Sequence, residues 1–229
     1  MLRKIRAPLY RFIWPKSNYF FFTRTEKYLT PLSNRYGFDR GKPIDRYYIE
    51  KFLSENADCI KGRCLEVTDN NYTAKFGGNK VVVSDVLDID TSNKLANIHG
   101  DIRNLKNTIK DDTYDCIILA QTLGIIDDCE SVIKECYRIL KPGGIILITA
   151  TAISPVLDLE NNYWRFTIAS MAYVLKKYFS ANKIMVNPYG NVLTGQSYWV
   201  GASQEELTKK QLEYNDPKFP VIITAKATK

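Results

Sequence analysis

No stretch of this chain approaches the roughly 20 consecutive apolar residues that a membrane-spanning helix needs. A secretory leader is not expected either. The opening MLRKIRAPLYRFIWPKSNYFFF is basic, but Arg11, Pro15 and Lys16 break its apolar runs. The five cysteines (Cys59, Cys64, Cys116, Cys129, Cys136) are odd in number and form no C-x-x-C pair. They read as reduced packing thiols in a cytoplasmic protein, not as a disulfide framework. There is one histidine, His99, and no His/Cys/Asp cluster at metal-ligand spacing, so no metal site is expected. Internal repeats and low-complexity tracts are missing too. No G-x-G-x-x-G follows a strand, which argues against a nicotinamide-binding dehydrogenase.

What is present is unevenly distributed. The 229 residues carry a net charge of +7, with 14 Lys+Arg against 6 Asp+Glu in residues 1–63 and 18 against 19 in the remainder. The basic front interleaves Arg3, Lys4, Arg6, Arg11, Lys16 and Arg24 with Leu9, Tyr10, Phe12, Trp14 and Tyr19 to Phe22. Such a segment suits an anionic membrane surface, or a solvated arm that packs a few aromatics onto a domain. No nucleic-acid motif supports the third option, a nucleic acid. Residues 1–38 are therefore expected to be a basic, aromatic extension, with residues 1–30 as a candidate peripheral membrane contact. Residues 39–229 are expected to be a single domain, long enough for a full core.

The stretch TYDCIILAQTLGIIDDCESVIKECYRILKPGGIILIT (113–149) is the most informative. Tyr114 to Leu119 is a short apolar run, as a strand buried on both faces of a parallel sheet requires. Val132, Ile133, Cys136, Ile139 and Leu140 recur at helical spacing. Lys141 suits that helix's carboxyl end, and Pro142-Gly143-Gly144 is expected to stop it. Ile145 to Thr149 is the next strand. Strand–helix–strand at this length is a βαβ unit, which places a ligand crevice at the strands' carboxyl ends. Elsewhere, helices are expected over 44–56, 168–179 and 205–214. Strands are expected over 63–67, 81–84, 96–99, 183–186 and 220–226.

YDCIILAQTL…RILKPGGIILIT resembles the fourth and fifth strands of class I S-adenosylmethionine-dependent methyltransferases of the type 11 kind. GFDRGKPIDRYYIEKFL, GRCLEVTD, YWRFT and EELTKKQLEYNDPKFPVIITAKATK resemble a subgroup often found with bacterial glycosyltransferases. The resemblance covers Pro31 to Lys229. It implies an α/β, Rossmann-like, seven-stranded, mostly parallel sheet with helices on both faces, and S-adenosylmethionine as cofactor.

In that family the first strand runs into a G-x-G-x-G turn. Here Glu66 keeps the acidic place, while Thr68, Asn70 and Tyr72 stand where glycines are usual. Asn70, which tolerates left-handed backbone, is the residue expected to preserve part of the turn. Asp85 follows VVVS and is read as the ribose-binding carboxylate, two acceptor oxygens matching a vicinal diol, with a helix cap or turn as the alternative. Val86 would then pack on the adenine. The resemblance gives Asp101 the adenine amino group, the Ile102 amide the ring, and Gln121 the cofactor's amino-acid end. His99 is read as structural or cofactor-side.

On the acceptor side, Tyr163 and Trp164 offer flat faces for a sugar ring, and Arg165 a fork for a carboxylate or phosphate. Phe166 is the candidate core anchor of that segment, and Arg165 has the alternative of capping a carbonyl. Asp127, Asp128 and Tyr163 are the candidate general bases. Asp45-Arg46-Tyr47 is expected to form part of a lid. The resemblance implies O-methylation of a sugar or glycan precursor in cell-surface polysaccharide synthesis, with a glycosyltransferase as candidate partner. The alternative is a degenerate, non-catalytic member of the fold that binds a glycosyltransferase or a membrane surface.

Overall fold

The computed structural model describes residues 29–229. The basic aromatic stretch before them, and the membrane reading attached to it, lie outside the described residues. Chain contacts divide the protein at Leu32/Ser33, ahead of the expected boundary at residue 38. The Ser33 hydroxyl accepts from the Arg35 and Gly37 amides at 3.0 and 3.1 Å and donates to Asp39, so this segment is ordered by local bonds.

Seven strands form one sheet: β1 (Gly62–Val67), β2 (Val81–Asp88), β3 (Ile98–His99), β4 (Tyr114–Ala120), β5 (Leu140–Thr151), β6 (Ile184–Tyr189) and β7 (Ile222–Thr228). Their order is β3-β2-β1-β4-β5-β7-β6, with β7 antiparallel to both neighbours. This is the mostly parallel sheet the sequence implied. The helices are α1 (Ile44–Glu55), α2 (Cys129–Ile139), α3 (Ile168–Leu175), α4 (Val192–Trp199) and α5 (Lys209–Glu213). None of the described helices is long and apolar enough to cross a membrane.

The apolar runs of β1, β4 and β5 follow from covering both faces. Leu65, Ile117, Leu119, Ile146 and Ile148 pack with Val132, Ile133 and Cys136 of α2 and Met171 and Leu175 of α3. Their alternates Cys64, Cys116, Ile118 and Leu147 pack with Ile49, Phe52 and Leu53 of α1. All five cysteines are free, and three of them are buried. Phe166 is buried in the first of these cores, as expected.

Several boundaries differ from expectation for local reasons. The helix α2 stops at Ile139, because Leu140 is already extended and pairs with Tyr114. The Lys-Pro-Gly-Gly segment is therefore an irregular first stretch of β5, with Gly143 at φ +80°. Lys141 does not serve the helix end but pairs with Asp115 at 2.8 Å. The helix α3 ends at Leu175, and α5 is only five residues, preceded by a 3-10 turn at Gln204–Glu206. The sequence reading missed α4, whose start is the Asn191/Thr194 capping box.

The longest correction concerns β2, which runs on to Asp88. Asp85 is thus inside the strand, not at its carboxyl end. It is 3% exposed and bound by Arg63 Nε at 2.7 Å, Asn97 Nδ2 at 2.7 Å and the Tyr114 hydroxyl at 3.1 Å. Val86 is buried beside it, its amide donating to Asn97 Oδ1 at 2.7 Å. Both residues hold the sheet together and are not free to face a nucleotide. Replacing Asp85 by Ala leaves the buried Tyr114 hydroxyl without its acceptor and takes a carboxylate partner from Arg63 and Asn97. The expected loss is about 2–5 kcal/mol, read as a lower urea midpoint at unchanged m-value. An unchanged midpoint would remove this residue from its role as a structural hub.

Candidate functional site

The parallel strands β1, β2, β3 and β4 end at one edge of the sheet, where the chain turns without its usual glycines. Thr68, directly after β1, adopts φ +73°, the left-handed conformation a glycine would take. A β-branched residue there is strained, and it is held by flanking bonds. Its amide donates to the Leu87 carbonyl at 2.9 Å, and its carbonyl accepts from Asn93 Nδ2 at 2.7 Å. Asn70, expected to carry the left-handed turn, does not. Its side-chain amide donates to Ser84 Oγ at 3.1 Å, and its carbonyl accepts from the Ala74 amide. The crossover after β1 contracts to a short helical turn with a π segment at Thr73–Gly77.

Glu66 closes that turn. Its carboxylate accepts from the Tyr72 amide at 3.3 Å and the Thr73 amide at 2.8 Å. Burial, only partly offset by these donors, pushes its acid up to about 7. Tyr72 stacks on Phe76 and hydrogen-bonds the Arg46 guanidinium, which ties the turn to α1.

At the carboxyl end of β2 stands Asp88, opposite His99 of β3. The Asp90 amide and Asn93 Nδ2 donate to its two oxygens at 2.9 and 2.7 Å. Each oxygen keeps a lone pair for a further donor. The sequence signal was the continuing apolar pair Val86-Leu87, which extends the strand past Asp85. Asp101 follows β3 and is gripped by Arg103 with contacts of 2.7 and 3.0 Å. That hydrogen-bonded guanidinium holds its carboxyl below the usual range. Ile102 buries its side chain in the core.

Past β4, Gln121 sits at φ +58° with its amide donating to the Thr149 carbonyl at 2.8 Å. Its side-chain nitrogen is buried with no hydrogen-bond partner. Buried amides of this kind call for an explanation. Gln121 lines a cavity of about 170 Å³ together with Tyr36, Asp45, Arg46, Thr151, Ser154, Asn162, Arg165 and Tyr198. Residues 37–43 form one side of the same region, pinned to the far end of the sequence. The Gln204 amide donates to the Lys42 carbonyl at 2.8 Å, and Arg40 pairs with Glu206.

In this cavity Asp45 is 5% exposed, and burial raises its acid. It meets the Tyr198 hydroxyl and lies 3.8 Å from Arg46. Burial likewise raises the Tyr198 phenol, with the Asp45 charge adding to it. Asp45 and Arg46 were anticipated only as part of a lid. Tyr198 was missed along with its helix.

The remaining candidates divide. Arg165 lines the cavity, donating to the Trp164 carbonyl at 2.9 Å, to the Ser154 and Pro155 carbonyls at 3.3 and 3.4 Å, and to Asn162 Oδ1. Trp164 is half-exposed and anchored through Nε1 to the Ile126 carbonyl at 2.9 Å. Tyr163 is 50% exposed and does not line the cavity. Asp127 pairs with Arg103 at 2.6 Å. Asp128 caps α2 through the Ser131 amide at 3.0 Å. Neither aspartate lines the cavity, so both are corrected from candidate bases to structural carboxylates.

Residues 66–148 match the family described as methyltransferase domain. Demethylmenaquinone methyltransferase of Staphylococcus epidermidis is 29% identical over 86 residues, which cover 38% of this chain and 34% of that protein. The chain thus spans about a third or less of the length of the curated relatives it matches. Among solved structures, a SAM-dependent methyltransferase from Archaeoglobus fulgidus superposes with a TM-score of 0.55 at 13% identity, covering 80% of this chain and 94% of that one. An S-adenosylmethionine-dependent methyltransferase from Mesorhizobium loti gives 0.54 at 12% identity, covering 81% and 98%. At these identities the likeness to solved structures is one of fold.

Glu66 yields a prediction with a definite sign. Its folded acid, near 7, lies above the ordinary 4.5. Its contribution to stability is therefore fully present below pH 4.5 and is lost as pH rises through about 7. Glu66→Gln should gain on wild type by about 3 kcal/mol between acid and pH 8. Urea unfolding of both proteins across that range checks it, and parallel curves would refute it.

Proposed function

We propose that this protein is an S-adenosylmethionine-dependent methyltransferase acting on an oxygen of a small, sugar-like acceptor. The observation that carries the reading is Gln121: a left-handed residue just past β4 that lines the cavity and whose side-chain nitrogen is buried without a partner, within the methyltransferase-domain match. A backbone strained this way and a donor left orphaned are costs that ligand binding offsets.

The sheet edge fits the cofactor. Asp88, with its spare lone pairs, would take the ribose hydroxyls in place of Asp85. Asp101 and the Ile102 amide would meet the adenine edge. Thr68 supplies the left-handed turn, and Gln121 would donate to the amino-acid end. The bound cofactor brings an activated methyl on a sulfonium, so the protein's work is orientation and exclusion of water, which in favourable systems contributes about 7–11 kcal/mol.

The cavity supports a small polar acceptor. At about 170 Å³ it falls below the roughly 300–1,000 Å³ of pockets that enclose drug-sized ligands. Asp45, Arg46, Arg165 and Tyr198 give it charged and hydroxylated groups, set beside the apolar Phe38 and Ile125. The half-exposed ring of Trp164 suits stacking at its mouth. The likeness to the glycosyltransferase-associated subgroup favours a sugar or glycan precursor, with a glycosyltransferase as partner. The curated relative named for demethylmenaquinone favours a quinone instead, a reading the size and charge of the cavity oppose.

Isothermal titration with S-adenosylmethionine and its demethylated product decides the first point. Wild type should bind both, and ligand at 100 times Kd should raise stability by about 2.7 kcal/mol. Asp88→Ala should weaken binding by about tenfold or more, or about 1.4 kcal/mol, measured at a temperature where the variant is shown by circular dichroism to be folded. No binding to wild type at millimolar ligand would favour the non-catalytic binding role.

A further inference from the structure

We propose that the cavity admits an acceptor carrying one anionic group beside its hydroxyls, the anion held by Arg165 and a hydroxyl donating to Asp45. The inference deepens the methyltransferase reading and rests on it only for the use made of the bound molecule. Three charged side chains line the cavity: Asp45, Arg46 and Arg165. Arg46 is satisfied within the protein. It lies 3.8 Å from Asp45, its guanidinium sits 5.8 Å from the centre of the Phe38 ring, and the Tyr72 hydroxyl bonds it.

Arg165 is different. Its partners are three backbone carbonyls and the Asn162 amide oxygen, all neutral. Arg40, Arg63, Arg103 and Arg138 each pair with a carboxylate, whereas among the described residues no acidic side chain pairs with Arg165. The carbonyls fix the plane of the guanidinium without neutralising it. The cavity therefore holds one positive charge in excess, on a planar fork whose geometry matches a carboxylate or phosphate.

Asp45 supplies the complementary half. It is buried, and two of its bonds are already made, from the Arg46 amide at 2.8 Å and from Tyr198. A carboxylate has about four acceptor sites, so capacity remains for a ligand hydroxyl. An anion anchored at Arg165 is kept from Asp45 by charge repulsion, which fixes the direction in which the acceptor lies.

The test is calorimetry of the full chain, with and without the demethylated cofactor product, using glucuronate (carboxylate and hydroxyls), glucose (hydroxyls only) and acetate (carboxylate only). Glucuronate should bind about tenfold or more tighter than glucose, and acetate should compete with it. Arg165→Gln should bring glucuronate down to the level of glucose and leave glucose unchanged. Asp45→Asn should weaken both sugars and spare acetate. Equal binding of glucuronate and glucose to wild type, or no competition by acetate, overturns the proposal without recourse to any variant. Failure of the cofactor product to bind would count against the methyltransferase reading alone, because the contrast between the two sugars is measured in the free protein as well.

Discussion

Burying the carboxylate of Asp85 in the middle of a strand is the constraint on which the working edge of this sheet depends. A charge in that position must be met from several directions, because its desolvation is costly when unpaired. Arg63 reaches it from β1, Tyr114 from β4 and Asn97 from the segment leading into β3. Three neighbouring pieces of chain are thereby locked in one register, with Leu65 opposite Asp85 and Val67 opposite Leu87. The register brings the ends of β1 and β2 level, so Thr68 and Asp88 emerge at the same height. Asn93, which bonds both the Thr68 carbonyl and Asp88, then stitches the two ends together.

The turn after β1 takes a left-handed backbone without a glycine. Thr68 accepts the left-handed conformation, and Glu66 gathers the amides of the turn that follows. Tyr72, the bulkiest departure, packs against the core beneath α1 and is engaged by Arg46 of α1 and by Phe76. The strain of one β-branched residue is set against several hydrogen bonds, which is how such conformations persist.

Much of this was legible from residue order. The double-faced apolar run of β4 announced a parallel sheet, and the periodicity of α2 announced its crossover. The common end of β1, β2, β3 and β4 followed from topology alone. Asp85 was misplaced because a buried carboxylate inside a strand looks, in sequence, like a strand ending. Only the pairing of Arg63, Asn97 and Tyr114 shows that the strand continues. The cavity was less legible, since its walls come from distant positions. Asp45 opens α1, Gln121 ends β4, Arg165 follows β5 and Tyr198 lies on α4. Asn191-x-x-Thr194 carried the signal for α4, but Gly195 and the polar residues around it masked the helix. Local spacing does not encode contacts of that range.

The strap formed by residues 37–43 is pinned to residues 201–206 by the Lys42–Gln204 bond, the Arg40–Glu206 pair and the close seat of Gly37 on the Ala202 carbonyl. Those contacts join early chain to late chain, across most of the sequence. During synthesis, α1 can dock on β1, β4 and β5 early, but Asp45 cannot meet Tyr198, nor Lys42 and Arg40 their partners, until those late residues exist. Strand β7, which fills the slot between β5 and β6, comes later still. Closing such long loops is slow relative to local structure. A nascent chain can assemble β1 through β5 and still lack the cavity, so a ribosome-stalled or prematurely terminated product would hold the sheet edge without the Tyr198 wall beside Gln121.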